Sequence, residues 1–345
     1  MKVLIPYDGA ELSEQAAVMA IELLAKHPLD LLLLRVASDP DHATSARDSL
    51  DATAARLSVS PATVTPLLAF GRPEQEIVRC AREQAVDLIA MSTHGRSMMT
   101  RMLLGSVTDR VIRTSPVPVL VIHPPSMSID VVSPPAGRKL KVLAPLDGSR
   151  FAEEAVELAV TLLDPQSIEL SLVTVVGTPQ WEAPVAQEIL DTAAAHLTRH
   201  GVMPSTTVVV GEAANQIAAL GVEGGFDLIV MSTHGHGMLT RALVGSATDR
   251  VVRISRVPVL VVQPHSMSAL LDPVSGERVD PDAAAYSTAY HGRRYTFTSL
   301  EHKEQFEGEP EAYVSRRAAP EDGDAPPPES RSYRPSPVPP MVRDA

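Results

Sequence analysis

The amino-acid sequence predicts an α/β protein: two copies of a doubly wound, five-stranded parallel sheet, then a small α+β unit and a proline-rich tail. Three observations carry this. A long stretch beginning at Met91 recurs at Met231. Short apolar runs alternate with amphipathic stretches in both copies. Aromatic residues gather after residue 264, with seven of the twelve lying there.

The repeat is clearest over the last part of each copy. MSTHGRSMMTRMLLGSVTDRVIRTSPVPVLVI from Met91 and MSTHGHGMLTRALVGSATDRVVRISRVPVLVV from Met231 agree at about two-thirds of positions without a gap. The starts correspond as well, KVLIPYDG from Lys2 and KVLAPLDG from Lys141, at an offset of 139 residues against 140 for the later pair. A period this long marks duplicated domains, since solenoid units span roughly 20–50 residues. The boundaries read as 1–124 and 139–264, with a linker at 125–138 containing Pro134 and Pro135. A third unit is read at 271–314 and a tail at 315–345.

Within the first copy the order is strand, helix, strand, repeated. Val3–Pro6 is a short apolar strand, and Ser13 is placed to cap a helix whose stripe includes Ala17, Ala20, Ile21 and Leu24. Leu31–Val36 is apolar throughout, as a strand covered on both faces requires. A helix near Thr44–Leu57, a strand near Val64–Phe70, a helix opening at Pro73, a strand at Asp87–Met91, a helix from Ser106 and a strand at Val117–Ile122 complete the unit. Such alternation implies parallel strands joined by right-handed crossovers.

Parallel sheets bind ligands beyond the carboxyl ends of their strands, and the chemistry-bearing residues fall there. Asp8 follows the first strand. After the fourth, nine residues separate Gly95 from Gly105-Ser106, which stands at the start of a helix; Asp147, Gly235 and Gly245-Ser246 repeat the layout. A Gly-Ser pair at a helix N-terminus presents backbone N–H groups and a hydroxyl to a phosphate. The competing reading is purely structural: Gly-Ser as a helix start, Asp-Gly as a turn.

This pattern resembles the universal stress protein family, whose ATP-binding members carry G-x2-G-x9-G-[S/T] after the fourth strand. The resemblance implies a Rossmann-like fold of the adenine nucleotide alpha hydrolase type. It also implies phosphate contacts from Gly95, Gly105, Ser106 and Val107 in the first copy, and from Gly235, Gly245, Ser246 and Ala247 in the second. Pro6, Asp8, Pro145 and Asp147 match residues that meet ribose and adenine; Val36 with Met91, and Val175 with Met231, match the apolar walls around the base. The family's first motif glycine is Ser92 here and Ser232 in the second copy. Serine keeps the N–H but disfavours positive φ. The implied cofactor is ATP, with Mg²⁺ as its companion ion. The family's last strands often pair, which implies a pseudo-dimer of the two copies within the chain, and a homodimer of chains as a further option.

Several classes are excluded. A net charge of −12 and only five lysines give no basic surface for nucleic acid or an anionic membrane. Cys80 is the single cysteine, so no disulfide framework exists, and it reads as a small buried apolar group. No apolar run approaches the ~20 residues of a membrane span, and no leader is evident, so a cytoplasmic protein is expected. There is no G-x4-G-K-[ST], no G-x-G-x-x-G after the first strand and no G-x-S-x-G elbow. His94 and His234 have no nucleophile or acid at motif spacing, so no catalytic residue is assigned. Arg96 becomes His236 and Val107 becomes Ala247, so the copies are not expected to be equivalent. The leading reading is a nucleotide-responsive stress protein that is not an enzyme. A signalling module with empty pockets is the second reading, and a slow ATPase the third.

The third unit resembles the YHS domain through Asp272-Pro273-Val274, Asp280-Pro281, Tyr290, Gly292, Tyr295, Phe297, Phe306 and Pro310-Glu311. Where that family carries cysteines, this chain has Ser275, Thr298 and His302. Without the soft thiolates that transition metals favour, no metal site is expected, and a packing or interaction role is left. The tail, with APEDGDAPPPES, reads as disordered.

Overall fold

Strands β1 (Lys2–Pro6), β2 (Leu29–Ala37), β3 (Ala62–Phe70), β4 (Leu88–Ser92) and β5 (Val119–Ile122) alternate with helices α1 (Glu11–Leu24), α2 (Ala43–Leu57), α3 (Pro73–Glu83) and α4 (Ser106–Thr114). The second copy repeats the order with β6 (Leu140–Pro145), α5 (Arg150–Leu163), β7 (Ile168–Val176), α6 (Pro179–Arg199), β8 (Ser205–Val210), α7 (Ala213–Glu223), β9 (Leu228–Ser232), α8 (Ser246–Ile254) and β10 (Val259–Val262). The computed structural model describes residues 1–24, 28–37, 43–58, 62–93, 104–123, 138–199, 201–233, 245–263, 272, 274–275, 286–290, 293–310 and 312–313. The tail and the linker up to residue 137 lie outside them. The chain divides into two compact units, one within Met1–Pro264 and one within His265–Arg334.

The larger unit holds a single ten-stranded sheet in the order β3-β2-β1-β4-β5-β10-β9-β6-β7-β8. Each half is parallel, as the alternation requires. The halves join where β5 meets β10, and that pair is antiparallel, with Leu120 opposite Leu260. The direction follows from symmetry: two equivalent edges related by a twofold axis must run oppositely. Joining them also removes two apolar strand edges from solvent. Val119, Leu120, Val121, Val259, Leu260 and Val261 are all buried. Full burial of such side chains contributes about 1.5–3 kcal/mol each.

Polar contacts repeat the same pseudo-twofold. Gln263 Nε2 donates to Ile112 O, and His123 Nε2 lies equally close to Val252 O, both at 2.7 Å. Arg113 pairs with Asp109 at 3.0 Å and approaches Asp249 at 3.9 Å. Arg253 pairs with Asp249 at 2.9 Å and approaches Asp109 at 4.0 Å. The four groups form an alternating ring at the junction.

The crossover helices sit close to the sheet on small residues, Ala16, Ala17 and Ala20 in α1 and Ala152, Ala155 and Ala159 in α5. Their starts differ from expectation in one copy. Ser149 caps α5, accepting from Ala152 N at 3.2 Å. Ala10 stands at the equivalent position, so Ser13 is not a cap: it lies inside α1 and donates its hydroxyl to Asp8 Oδ1 at 2.8 Å and to Ala10 O at 2.7 Å. Asp8 governs this start by tying the chain back, a turn that repetition at Asp147 reproduces.

The smaller unit pairs β11 (Tyr286–Tyr290) and β12 (Arg293–Phe297) antiparallel, followed by the helix Leu300–Gly308. Tyr295, Phe297 and Phe306 form its core with Val274, Tyr286 and Tyr313 against them. The Phe306 ring lies 4.6 Å from Tyr295 and 5.3 Å from Phe297, centroid to centroid, at the separations where aromatic pairs attract.

Candidate functional site

In both copies the fourth strand ends beside the helix that follows the glycine loop. Gly105 N donates to Thr93 O at 2.9 Å, and Gly245 N to Thr233 O at 2.6 Å. Thr108 Oγ1 donates to Ser92 O at 3.0 Å, and Thr248 Oγ1 to Ser232 O at 2.7 Å. Two bonds thus bolt the first turn of α4 to β4, and of α8 to β9. Gly105 and Gly245 are the helix N-caps, and neither helix receives a side-chain cap there. The first N–H groups of a helix have no partner within it, so an anion beside them is favoured by hydrogen bonding and the helix dipole together.

The glycines have a further reason to be glycine. A Cβ on Gly105 would stand 2.9 Å from Thr93 O, and one on Gly245 would stand 3.3 Å from Thr233 O. The close approach demanded here is first to the chain's own backbone. Of the two readings open in the sequence, phosphate contact and a structural helix start, strand-to-helix packing realises the structural one.

Serine at the family's glycine position brings no strain. Ser92 and Ser232 are the last residues of β4 and β9, and neither has positive φ. The conformation that would have required glycine is absent. The Asp-Gly pairs do use the left-handed region: Gly9 has φ 83° and Gly148 has φ 80°. Asp8 Oδ1 accepts from Ala10 N at 2.9 Å, and Asp147 Oδ1 from Ser149 N at 2.9 Å. The turn role of both aspartates is therefore realised.

In the second copy these pieces surround one cleft of about 250 Å³. Its walls include Pro145, Asp147, Val175, Met231, Ser232, Gly245, Ser246 and Ala247, eight residues singled out in the sequence. Gly235 lies outside the described residues. Leu146, Ala152, Ala213, Ile217 and Thr248 line it too and were not foreseen. Thr248 was legible in principle, because Thr108 and Thr248 recur two residues after each Gly-Ser serine. Ala213 and Ile217 belong to the first turns of α7, and no local signal says that this helix shares a cleft wall with the end of β9.

The first copy places Pro6, Val36, Met91 and Ser92 at or near the carboxyl ends of β1, β2 and β4, and Asp8 just past β1. Gly105, Ser106 and Val107 start α4 beside them. Gly95 lies outside the described residues, as do His94, His234, Arg96 and His236. Met91 and Met231 are 5% and 7% exposed, so both also belong to the strand core. Tyr7 replaces Leu146 here. Its hydroxyl accepts from Thr53 Oγ1 at 3.1 Å and lies 3.2 Å from Ser49 Oγ. The Arg35 guanidinium sits 5.7 Å from its ring centroid.

In the smaller unit the three positions that lack thiols converge on one carboxylate. Asp272 has no exposed surface. Its Oδ1 accepts from Val274 N at 2.8 Å and Ser275 N at 3.3 Å; its Oδ2 accepts from Thr298 N at 2.7 Å and Thr298 Oγ1 at 2.8 Å, with His302 Nδ1 at 2.7 Å. Burial pushes the Asp272 carboxyl up, but the Thr298 N–H and hydroxyl, the Val274 N–H and His302 outweigh it and hold it at about 2. Among the described residues no group of three or more His, Cys, Asp or Glu side chains could hold a metal ion, and no helix is long and apolar enough to cross a membrane.

Comparison with known proteins places both units. The model of the YHS domain matches residues 270–317. A universal stress protein of Mycobacterium tuberculosis is 30% identical over 208 residues, covering 57% of this chain and 68% of that protein. One from Synechocystis is 32% identical over 133 residues, covering 35% of this chain and 83% of its own. Among solved structures, a universal stress protein of Archaeoglobus fulgidus shares the fold with a TM-score of 0.59 at 23% identity, over 76% of this chain and 98% of that one. A functionally unknown protein of Pseudomonas aeruginosa does so at 0.56 and 18%, over 76% and 92%. The model of the Universal stress protein family matches twice, over residues 1–123 and 140–263. With its two matched copies accounting for most of its length, this chain belongs to the universal stress protein family, as a tandem member.

Proposed function

We propose that the chain binds ATP, or a related adenine nucleotide, in one or both of its repeated modules, and acts as a nucleotide-responsive stress-response protein rather than as an enzyme. The observation that carries this is the convergence in the second module: eight residues chosen for one ligand chemistry line a single cleft. Its two ends differ as an adenine nucleotide requires. Val175, Met231, Leu146 and Ile217 offer an apolar wall for a base. The start of α8, without a side-chain cap, offers N–H groups and the Ser246 hydroxyl for phosphate. Asp147 supplies an acceptor suited to a ribose hydroxyl. A cytoplasmic location belongs to the same proposal.

Calorimetric titration of the full chain with ATP tests it. Saturable binding is expected; no heat at millimolar ATP overturns the reading. Because Gly245 also packs against Thr233 O, the site variant of choice is Val175→Trp, which fills the cleft from its apolar side. It should abolish binding at the second module while leaving the unfolding midpoint near that of the unmodified chain.

A further inference from the structure

We infer that the two modules prefer nucleotides of different charge, the first favouring the more highly phosphorylated ligand, and that Arg72 and Glu212 set the difference. This rests on the nucleotide reading above and adds to it which residues discriminate.

In the second module α7 begins at Ala213, a residue of the cleft wall, and Glu212 is its N-cap. The Glu212 carboxylate accepts from Ala214 N at 3.3 Å and Asn215 N at 3.0 Å, and lies 3.4 Å from the Arg250 guanidinium. Arg250 stands one turn into α8 from Ser246, beside the end of the helix proposed to hold phosphate. Its charge is therefore matched by Glu212, and Asn215 Oδ1 accepts a further bond from it at 3.3 Å.

The first module has the same frame with one charge reversed. Pro73 opens α3, and the N-cap is Arg72, which is exposed and makes no side-chain cap. Arg110, one turn into α4 from Ser106, pairs with Glu74 at 2.6 Å. Arg110 and Arg250 are thus each matched by one carboxylate, but the first module has Arg72 in addition. The next charged pair on α3, Glu76 with Arg79, is balanced and has uncharged Gln216 and Ala219 in its place in α7. Among these residues the first site carries one net positive charge and the second none.

Without Mg²⁺ a triphosphate carries more negative charge than a monophosphate, so in Mg²⁺-free dilute salt an extra cation near the phosphate end should favour ATP over AMP by about threefold to tenfold. To read each site alone, the full chain would carry Val175→Trp, which fills the cleft of the second module, or Val36→Trp, the equivalent substitution in the first. Titration with ATP and with AMP then yields one affinity ratio per site. The first site should show the larger ratio. Arg72→Gln should lower it to the value at the second site. Glu212→Gln, which keeps an acceptor oxygen for the α7 N–H groups, should raise the second by leaving Arg250 unmatched. Both contrasts should shrink at high salt. Equal ratios at the two sites, or ratios unmoved by Arg72→Gln and Glu212→Gln, overturn the inference while nucleotide binding stands. If the unmodified chain takes neither nucleotide, both readings fall together.

Discussion

Gln263 Nε2 donates to the carbonyl oxygen of Ile112 at 2.7 Å, linking residues 151 positions apart. The amide comes from just past the last strand of one module and the carbonyl from the last turn of α4 in the other. Gln263 is 1% exposed. Its counterpart His123 makes the mirror contact with Val252 O.

The junction should therefore respond to substitutions unequally. Gln263→Leu removes the donor and leaves a carbonyl without it in a buried place, for a loss of about 1–3 kcal/mol. His123→Gln installs the residue the other copy already uses and should be close to neutral. Urea unfolding of both variants checks this; a Gln263→Leu midpoint equal to that of the unmodified chain would sink it.

Glycine at the two N-caps is expected to matter by different amounts. Alanine at 105 forces a Cβ to within 2.9 Å of Thr93 O, whereas alanine at 245 meets Thr233 O at 3.3 Å. Gly105→Ala should destabilise by about 1–3 kcal/mol, in the range of overpacked interiors, and Gly245→Ala by less. Thermal unfolding without nucleotide separates this from any ligand effect, and the reverse ranking would contradict the packing account.

Asp272 makes the smaller unit sensitive to acid. Its folded pKa, about 2, lies below the ordinary carboxylate value near 3.9. Its contribution is thus complete above pH ~4 and disappears as pH falls through about 2, amounting to about 2 kcal/mol. Asp272→Asn should remove it at neutral pH as well, because an amide cannot accept all five donors. Tyrosine fluorescence of the full chain against pH would report the change, since Tyr286, Tyr295 and Tyr313 pack in this core. A pH profile identical in the variant and the unmodified chain would refute the assignment.

Cys80 has no exposed surface, and burial pushes its thiol up to about 11. Thiolate is the reactive form, so a disulfide-exchange reagent at pH 8 should label the native chain far more slowly than the urea-unfolded one. Comparable rates in both states would show that α3 opens freely.

Much of this was legible in the residues themselves. Leu31–Leu34 had to be a strand buried on both faces, and the text shared by Met91 and Met231 had to fold twice in the same way. Local pattern also brought Asp147, Ser246 and Val175 to the same end of a parallel sheet, because a βα repeat leaves little freedom about where strand ends lie. Ser13 does not cap α1 because the helix already begins at Glu11, two residues before it, with Ala10 where the second copy has the capping Ser149.

Periodicity and short-range chain geometry are enough to give the duplication, the parallel direction of the strands within each half and the group of residues at the strand ends. Long-range packing settled the other features. Tertiary packing made the two sheets one through the antiparallel pairing of β5 with β10, the pairing of last strands that the family resemblance implies. It set Ala213 and Ile217 over the cleft, and it assigned to Gly105 and Gly245 a close backbone neighbour. It also drew Ser275, Thr298 and His302 around the buried Asp272. The β5–β10 pairing and the cleft wall join groups far apart in the chain, and such meetings are set by which surfaces pack together, a property no local pattern encodes.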